Sequence, residues 1–308
     1  MNDTTNTTDT RRKQSAADRI AAEFIAMLDK GVIPWHQTWT STNRRPVNQA
    51  GRPYRGANYF MLKMFGQSPT NVYMSFNNAK KLGGKVKEGS HGVPVVFASR
   101  YDPATHTTDR TPDADDNADT EPQTVNKGYF FWKGYTVFGV NQIDGLPDRF
   151  YQIDATTTPD PIAAADEVIG NYEGAPEIDA DGSDPCYIPA IDTVKLPGPD
   201  RFKSIEAFYA ALFHELSHST GHESRLHRKI KSHDTDPDSY SHEELIAELS
   251  AAILLDHCGI NAAEITENQA AYCANWAKAL KEQPGRAIIT AAAQASRAAE
   301  WILGLRRE

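Results

Sequence analysis

Apolar residues recur at helical spacing soon after the start of the chain, behind a Thr/Asn-rich stretch at 1–14. They repeat every three or four residues from Ile20 to Leu28, and this period predicts an amphipathic helix. Ser15 and Asp18 form a capping-box pattern at its start, and Gly31 is placed to end it. The stretch at 1–14 has almost no apolar residues, so we expect it to be a disordered tail.

Strand-like patterns appear further along the first half of the chain. Residues 32–62 are rich in aromatics but show no clear period, so we expect an irregular segment that either packs or binds a ligand. A short helix capped by Ser75 is followed by β-type runs at 93–98 and 129–141. The acidic stretch between these runs, 102–127, is typical of a long mobile hairpin loop.

The second half of the chain is predicted to be mainly helical. Asp, Ala, Gly and Pro dominate residues 154–183, and we place a boundary near residue 150, between domains at 15–150 and 151–308. The fold class is therefore α+β, with a small α+β N-terminal domain and a mainly helical second domain that carries a short edge β-sheet. After the strand-like run CYIPAIDTVKLP, helices are expected at about 204–220, 241–258, 266–282 and 284–304.

Composition excludes several classes of protein. The 308 residues are 40% hydrophobic and 24% charged, which excludes fibrous and wholly disordered chains. No apolar run is long enough to span a membrane, and the first residues lack the apolar region of a secretory signal. Three cysteines are too few for a disulfide framework or a Cys-based zinc site. We therefore expect a reducing, cytoplasmic environment and no membrane partner.

The net charge of −9 hides an uneven distribution. Residues 1–101 carry 15 Lys and Arg against 6 Asp and Glu, residues 102–127 carry 2 against 7, and residues 128–308 carry 15 against 28. A basic first third joined to an acidic remainder indicates two tasks in one chain and keeps nucleic acid among the candidate partners. A second, short basic run at 225–231 is interpreted as a solvated surface.

The segment FYAALFHELSHSTGHESRL contains an HExxH motif formed by His214, Glu215 and His218. On a helix this spacing places both imidazoles one turn apart on one face, where they can bind a single Zn²⁺ ion per chain. The intervening Glu215 faces the same cavity and can deprotonate a metal-bound water, so it is the candidate catalytic base. A capping serine at Ser204 and an apolar face support a helix at this position.

The third metal ligand has to come from elsewhere, because the metzincin pattern requires histidine where Ser224 stands. The helical segment 241–255 offers Glu244 and Glu248, one turn apart on the same face. We choose Glu244 as the ligand and expect Glu248, the next candidate, to hydrogen-bond a ligand imidazole. Ser241 and Glu244 also match a capping box that needs no metal, so that alternative stays open.

Basic and aromatic residues are interleaved in the first third of the chain. Cations that follow phosphates, together with aromatic faces that stack on unpaired bases, are typical of proteins that bind single-stranded nucleic acid. The alternative is that the aromatics form a small core and the cations keep it in solution. No helix-turn-helix, zinc-finger or RNP signature is present, which argues against sequence readout of duplex DNA. The candidate DNA contacts are Arg44, Arg45, Arg52, Tyr54, Arg55, Tyr59, Lys80, Lys81, Lys85 and Lys87, with Trp35, Trp39, Tyr73 and Phe76 in the same region.

Long segments of both halves carry a family resemblance, among them GVIPWHQTW, GRPYRGANYFML, SFNNAKKLGGKVKEGSHGVPVVF, YTVFGVNQIDGL, YIPAIDTVKLP and FYAALFHELSHSTGHESRL. From about residue 16 to 305 the chain resembles the ArdC-type antirestriction proteins of conjugative plasmids and the related N-terminal region of TraC-type primases. The resemblance implies a single-stranded-DNA-binding domain joined to a zincin-like metallopeptidase domain. It also implies protection of incoming single-stranded plasmid DNA from host restriction during conjugation.

The same resemblance implies roles for residues of the second half. It implies His214 and His218 as zinc ligands and Glu215 as the catalytic base. The segment EELIAELSAAILL is also similar to the third-ligand helix of the IrrE-type regulatory peptidases, which implies Glu244 as a ligand.

Two functions follow from these observations. The first is a DNA-binding antirestriction protein that carries a metal site. The second is a cytosolic zinc metallopeptidase whose N-terminal domain recruits it to a protein or peptide substrate. The basic, aromatic first third favours the first function, and the presence of Glu215 argues against a purely structural zinc site.

Overall fold

The structure is a computed structural model, and it describes residues 15–36, 45–102, 107–109, 129–153, 160–228, 237–261 and 284–305. Its architecture is mixed α+β, which confirms the predicted fold class. None of the helices in these ranges is long and apolar enough to cross a membrane. The predicted tail at 1–14, most of the acidic stretch 102–127, the helix expected at 266–282 and Arg44 lie outside the described residues.

Helix α1 (Ala16–Leu28) forms where the apolar period predicts it. The amide of Asp18 donates to Ser15 Oγ at 3.1 Å, and the amide of Ser15 donates to the Asp18 carboxylate at 3.1 Å. These two bonds form the capping box, which satisfies amides that lack a partner within the helix. Phe24 on the apolar face is fully buried. Gly31 follows the helix at φ +74°, a conformation that glycine adopts without strain.

Helix α2 (Gly56–Phe65) lies in the segment where we expected an irregular chain, so that expectation is wrong. Most of its side chains are buried, including the polar Asn58. The Asn58 amide group donates to the Val96 carbonyl at 2.7 Å and accepts from the Val96 amide at 2.8 Å. A helix that is buried on all sides has no polar face, so its sequence shows no amphipathic period.

The remaining helices include one whose start differs from the prediction. Helix α6 (Pro237–Cys258) begins at Pro237 rather than at 241, and proline suits a first helical position because its missing N–H has no partner there. Ser241 therefore lies in the second turn of α6 and not at its N-cap, so the capping-box alternative for Glu244 is wrong. These helices are α3 (Phe76–Lys81), α4 (Pro161–Gly170), α5 (Ile205–Ser219), α6 (Pro237–Cys258) and α7 (Pro284–Ile302).

Small β-sheets accompany the helices. An antiparallel sheet has the order β1–β5–β3–β4, with β1 (Tyr73–Ser75), β3 (Val93–Asp102), β4 (Thr107–Asp109) and β5 (Tyr129–Gly139). Strand β2 (Lys85–Val86) pairs with β6 (Ile143–Asp144). In the third sheet β9 (Thr193–Lys195) lies between β7 (Glu177–Asp179), which is parallel to it, and β8 (Cys186–Ile188), which is antiparallel. Strands β3 and β5 are antiparallel partners, so the acidic stretch 102–127 joins two paired strands.

The apolar side chains form two separate clusters. The main core contains residues of α1, α2, β3 and β5 together with residues of α4, α5, α6 and α7, so it extends across the predicted boundary near residue 150. The second cluster is small and lies between α3, β2 and β6; we call residues 72–88 and 138–151 the small lobe. The buried residues of the second cluster are Met74, Ala79, Val140, Ile143, Leu146 and Phe150.

Polar contacts also connect α2 with the C-terminal helices. Arg55 Nε lies 2.7 Å from a Glu300 carboxylate oxygen, and Lys63 Nζ lies 2.6 Å from Asp256. The Tyr59 hydroxyl donates to Asp256 at 2.6 Å. All of these side chains are nearly inaccessible to water. The first half of the chain is therefore attached to α6 and α7 by charge pairs as well as by apolar contacts.

Candidate metal centre

Helix α5 positions the HExxH motif. Its N-terminus is capped by Ser204, whose Oγ accepts from the Ala207 amide at 3.2 Å. Phe213 and Leu216 are fully buried and fix the rotation of the helix about its axis. His214 and His218 lie one turn apart, and their Nε2 atoms are 3.1 Å from each other. Both rings therefore direct the same nitrogen into one small space.

Helix α6 brings a carboxylate to the same space. One Glu244 oxygen is 3.5 Å from His214 Nε2, and the other is 3.4 Å from His218 Nε2. The ligand atoms of His214, His218 and Glu244 all lie within 4.8 Å of one another. Two imidazole nitrogens and one carboxylate oxygen are the donor set of catalytic zinc sites in which a fourth position stays open. The residues present therefore fit a divalent metal ion.

Two further glutamates of α6 face the outer nitrogens of the imidazole rings. Glu243 Oε1 lies 3.4 Å from His218 Nδ1, and Glu248 Oε1 lies 3.7 Å from His214 Nδ1. The Glu248 distance is longer than a hydrogen bond, whereas the Glu243 distance is within reach of a weak one. Glu243 is not among the site residues predicted from the sequence. Its sequence signal was its position directly before Glu244 in the predicted helix, and its contact with His218 Nδ1 depends on how α6 packs against α5.

Arg228 holds Glu243 in place through both carboxylate oxygens. Its Nη2 donates to Glu243 Oε1 at 2.6 Å and its Nε donates to Oε2 at 3.0 Å. The same guanidinium donates to Thr220 Oγ1 at 2.7 Å and to the Ser217 carbonyl at 3.0 Å, both close to the end of the motif. A bidentate arginine–carboxylate pair of this kind fixes orientation as well as charge.

The interpretation of residues 225–231 as a solvated surface is therefore wrong for its two arginines. Arg225 is also buried, where it donates to the Ser219 carbonyl at 2.7 Å and pairs with Asp192. Spacing alone did not reveal this, because the partners of both arginines lie on other elements, among them Glu243 of α6 and Asp192. The two side chains secure the segment that leaves α5 beside His214 and His218.

The carboxylates control the protonation of the histidines. Burial lowers the pKa of His218, but hydrogen bonds to Glu243 and Glu244 outweigh this effect and raise that pKa to about 10. Burial also opposes protonation of His214, but Glu244 raises its pKa above the usual value. Burial raises the pKa of Glu244, and the two imidazoles outweigh it and hold that pKa well below its usual range. The cluster thus favours a positive charge at its centre, as a site for a cation requires.

Glu215 lies between the two histidines on α5 and is 8% exposed. Within the described part of the chain its carboxylate makes no hydrogen bond or ion pair. An uncommitted carboxylate beside a metal position can take a proton from a bound water. The arrangement is therefore chemically able to support metal-assisted hydrolysis.

The structure divides the candidate DNA contacts into two groups. Tyr54 and Tyr59 are 2% exposed, and Arg55 is 7% exposed and pairs with Glu300. Arg45 also pairs with Glu300 and has a side chain that is 16% exposed. These four side chains do not offer a free charge or ring face to a DNA strand, because they pack against the C-terminal half. The exposed group consists of Arg52, Lys80, Lys81, Lys85 and Lys87.

Comparison with known proteins relates both halves to described families. Residues 14–138 match the N-terminal domain of the anti-restriction factor ArdC, and residues 163–294 match a zincin-like metallopeptidase family. A DNA primase TraC of Escherichia coli is 31% identical over 96% of this chain, which spans only 28% of that primase.

Two solved structures are similar over nearly the whole chain. Both are crystal structures of the antirestriction ArdC protein from plasmid R388, and each is 30% identical to this chain. The metal-free form has a TM-score of 0.68, and the aligned region covers 95% of this chain and 99% of the ArdC chain. The Mn(II)-bound form has a TM-score of 0.67 and covers 94% of this chain and 97% of its own.

Proposed function

The chain belongs to the ArdC antirestriction family, and from this premise we propose that it binds single-stranded DNA in the cytoplasm and protects incoming plasmid DNA from host restriction during conjugation. The N-terminal family match and the similarity to a DNA primase support DNA as the partner. Priming activity is not part of the proposal, because the chain spans only 28% of that primase.

The observation that carries the DNA proposal is a group of unpaired cations on the small lobe. Lys80, Lys81 and Lys85 are exposed, and among the described residues none of them has a carboxylate within ion-pair distance. Other basic residues of this half have partners, as Arg55 and Lys63 do. Cations without partners can neutralise phosphates and release the counterions that surround a nucleic acid.

Titration of the full chain with labelled single-stranded and duplex oligonucleotides at two salt concentrations tests this function. We expect tighter binding to the single strand, with a log–log salt slope of about −0.7 for each phosphate that is neutralised. Equal affinity for both forms, or an affinity that does not change with salt, would overturn the proposal.

For the second half we propose a site for one Zn²⁺ ion held by His214, His218 and Glu244, with Glu248 positioned beside His214. The clustering of the three ligand atoms within 4.8 Å supports it, as does the Mn(II)-bound relative. Zinc in such a site would lower the pKa of a bound water toward about 7. Glu215 would accept the proton of that water, and Glu243 would hold His218 with its Nδ1 protonated so that Nε2 faces the ligand position.

Metal analysis of the purified full chain tests the site. We expect one zinc per wild-type chain, loss of zinc from Glu244→Ala, and retention of zinc by the matched control Glu215→Gln, because Glu215 is assigned as base and not as ligand. Retention of zinc by Glu244→Ala together with its loss from Glu248→Ala would reverse the assignment of the third ligand.

A second candidate function is favoured by the uncommitted carboxylate of Glu215, which a DNA-binding role does not require. In this case the chain is a metallopeptidase that its N-terminal half recruits to a protein or peptide substrate. The Glu215→Gln variant separates the two functions, because it should keep both zinc and DNA affinity. Loss of protection against restriction in this variant would favour the peptidase, and unchanged protection would favour DNA binding alone.

A further inference from the structure

The small lobe carries an aromatic ring that is largely exposed to water. Phe76 is 56% exposed, more than any other phenylalanine whose side chain is described. It is the first residue of α3, and Ala79 is the residue of this helix that enters the core of the lobe. Because more than half of its surface stays in water, the Phe76 ring contributes less to folding than a buried ring would.

Three exposed lysines, Lys80, Lys81 and Lys85, follow Phe76 within nine residues of the chain. Phe76 and Lys80 are one turn apart on α3, so they share a face of the helix, and Lys81 follows directly. Among the described residues, no carboxylate pairs with these lysines or with Lys85. Lys87 is different, because its Nζ donates to the Asn141 carbonyl at 2.8 Å and lies 3.5 Å from Asp144.

A tight glycine turn brings Lys85 back towards α3. Gly83 has φ +83°, and a Cβ atom at Gly84 would lie 2.7 Å from a Leu146 side-chain carbon. Only glycine allows so close an approach of the backbone to the core of the lobe. The turn leads directly into β2, which packs against α3, so the backbone of Lys85 lies beside the same helix and its side chain is exposed there.

We propose that Phe76 stacks on an unpaired base of single-stranded DNA while Lys80, Lys81 and Lys85 contact the neighbouring phosphates. This inference rests on the proposed function and locates its DNA site on the small lobe. An exposed ring with cations on the same small helix and on the strand packed against it matches a ligand that has flat apolar faces on an anionic backbone. An acidic protein surface would match the lysines, but it would leave the ring without a complementary face.

This location is packed independently of the helices that carry the candidate metal ligands. The small lobe has its own apolar cluster, separate from the main core that contains α5 and α6. Substitutions on its surface should therefore leave the packing of the metal-binding helices unchanged.

The test uses the full chain and a labelled oligothymidine as the probe. Phe76→Ala should bind roughly 5- to 150-fold more weakly, which corresponds to about 1–3 kcal/mol for one stacked base. Phe65→Ala is the matched control, because Phe65 is also exposed (39%) but lies at the end of α2, outside the small lobe. Phe76→Trp should keep the affinity and show quenched tryptophan fluorescence when the strand binds.

A second variant tests the phosphate contacts. The triple change Lys80→Gln, Lys81→Gln and Lys85→Gln should weaken binding and make the log–log salt slope shallower by about 0.7 for each lost contact. If the wild-type chain binds the strand and both variants bind it with the wild-type affinity, the DNA site does not lie on the small lobe. The proposed function survives that result. If wild type itself does not bind, the proposed function fails as well.

Discussion

Two groups of basic residues in the first third of the chain have opposite surroundings. Arg55 and Lys63 have side chains that are 9% and 5% exposed, and each lies against a carboxylate of the C-terminal helices. Lys80, Lys81 and Lys85 are exposed on the small lobe, where none of them pairs with a carboxylate of the described residues. Residues of the same type thus hold the two halves together in one place and stay available to a ligand in the other.

The difference shows why a positive charge count cannot identify a nucleic-acid surface. A buried cation has lost its hydration, so it requires a matching anion, and removing that anion is costly. An exposed cation remains hydrated and can exchange water and counterions for phosphate. Substitutions in the two groups should therefore change different properties of the protein.

The largest expected effect comes from removing the anion of the buried pair. Glu300→Ala leaves the buried guanidinium of Arg55 without its carboxylate, and we expect it to lower the free energy of unfolding by about 3–5 kcal/mol. Urea denaturation followed by circular dichroism measures this loss.

A double variant is the control for that prediction. Arg55→Met combined with Glu300→Met removes both charges and should recover most of the lost stability, since apolar replacements of a buried pair are often neutral. A double variant as unstable as Glu300→Ala would mean that the loss does not come from the Arg55–Glu300 pair but from packing around Glu300 or from its second partner, Arg45.

The second largest effect is expected for the Tyr59 hydroxyl, which donates to the buried carboxylate of Asp256. Tyr59→Phe removes the 2.6 Å hydrogen bond to Asp256 and keeps the ring, so we expect a loss of about 1.5–3 kcal/mol in the free energy of unfolding. Tyr54→Phe is a suitable comparison, because the hydroxyl of Tyr54 is 3.5 Å from the Tyr73 carbonyl and should contribute less. Equal losses in both variants would contradict the special role of the Asp256 contact.

The contact between Tyr59 and Asp256 should also change how the free energy of unfolding depends on alkaline pH. Burial and the neighbouring Asp256 raise the pKa of Tyr59 well above 10.0, so its stabilising contribution is complete below that pH. Above it, Tyr59 ionises in the unfolded chain but not in the folded one, so stability falls by about 1.4 kcal/mol per pH unit from this group. The wild-type free energy of unfolding should therefore fall more steeply with pH above 10.0 than that of Tyr59→Phe. Parallel curves for the two proteins would exclude the effect.

The smallest effect on stability is expected for the exposed group. The triple change of Lys80, Lys81 and Lys85 to glutamine should alter the free energy of unfolding by no more than about 0.5 kcal/mol, because hydrated surface side chains contribute little to folding. The same urea measurement checks it. A loss of several kcal/mol would place these lysines with the buried group and remove the contrast on which the DNA site depends.

Prediction from sequence succeeded where the signal is local. The capping box at Ser15 and the helix of the HExxH motif depend on residues within a few positions of one another. It failed for α2, because a helix buried on every side carries no amphipathic period. It also missed Glu243 and Arg228, whose roles depend on a contact between α6 and a segment 15 residues away.

The α+β class and the pairing of His214 with His218 on one helical face follow from sequence alone, because helical geometry converts a spacing of four residues into proximity. The tertiary structure brings Glu244 to both imidazoles, since that contact depends on how α6 packs against α5. It also decided which cations are buried against carboxylates and which face water. Burial depends on the packing of distant elements, and composition carries no record of that packing.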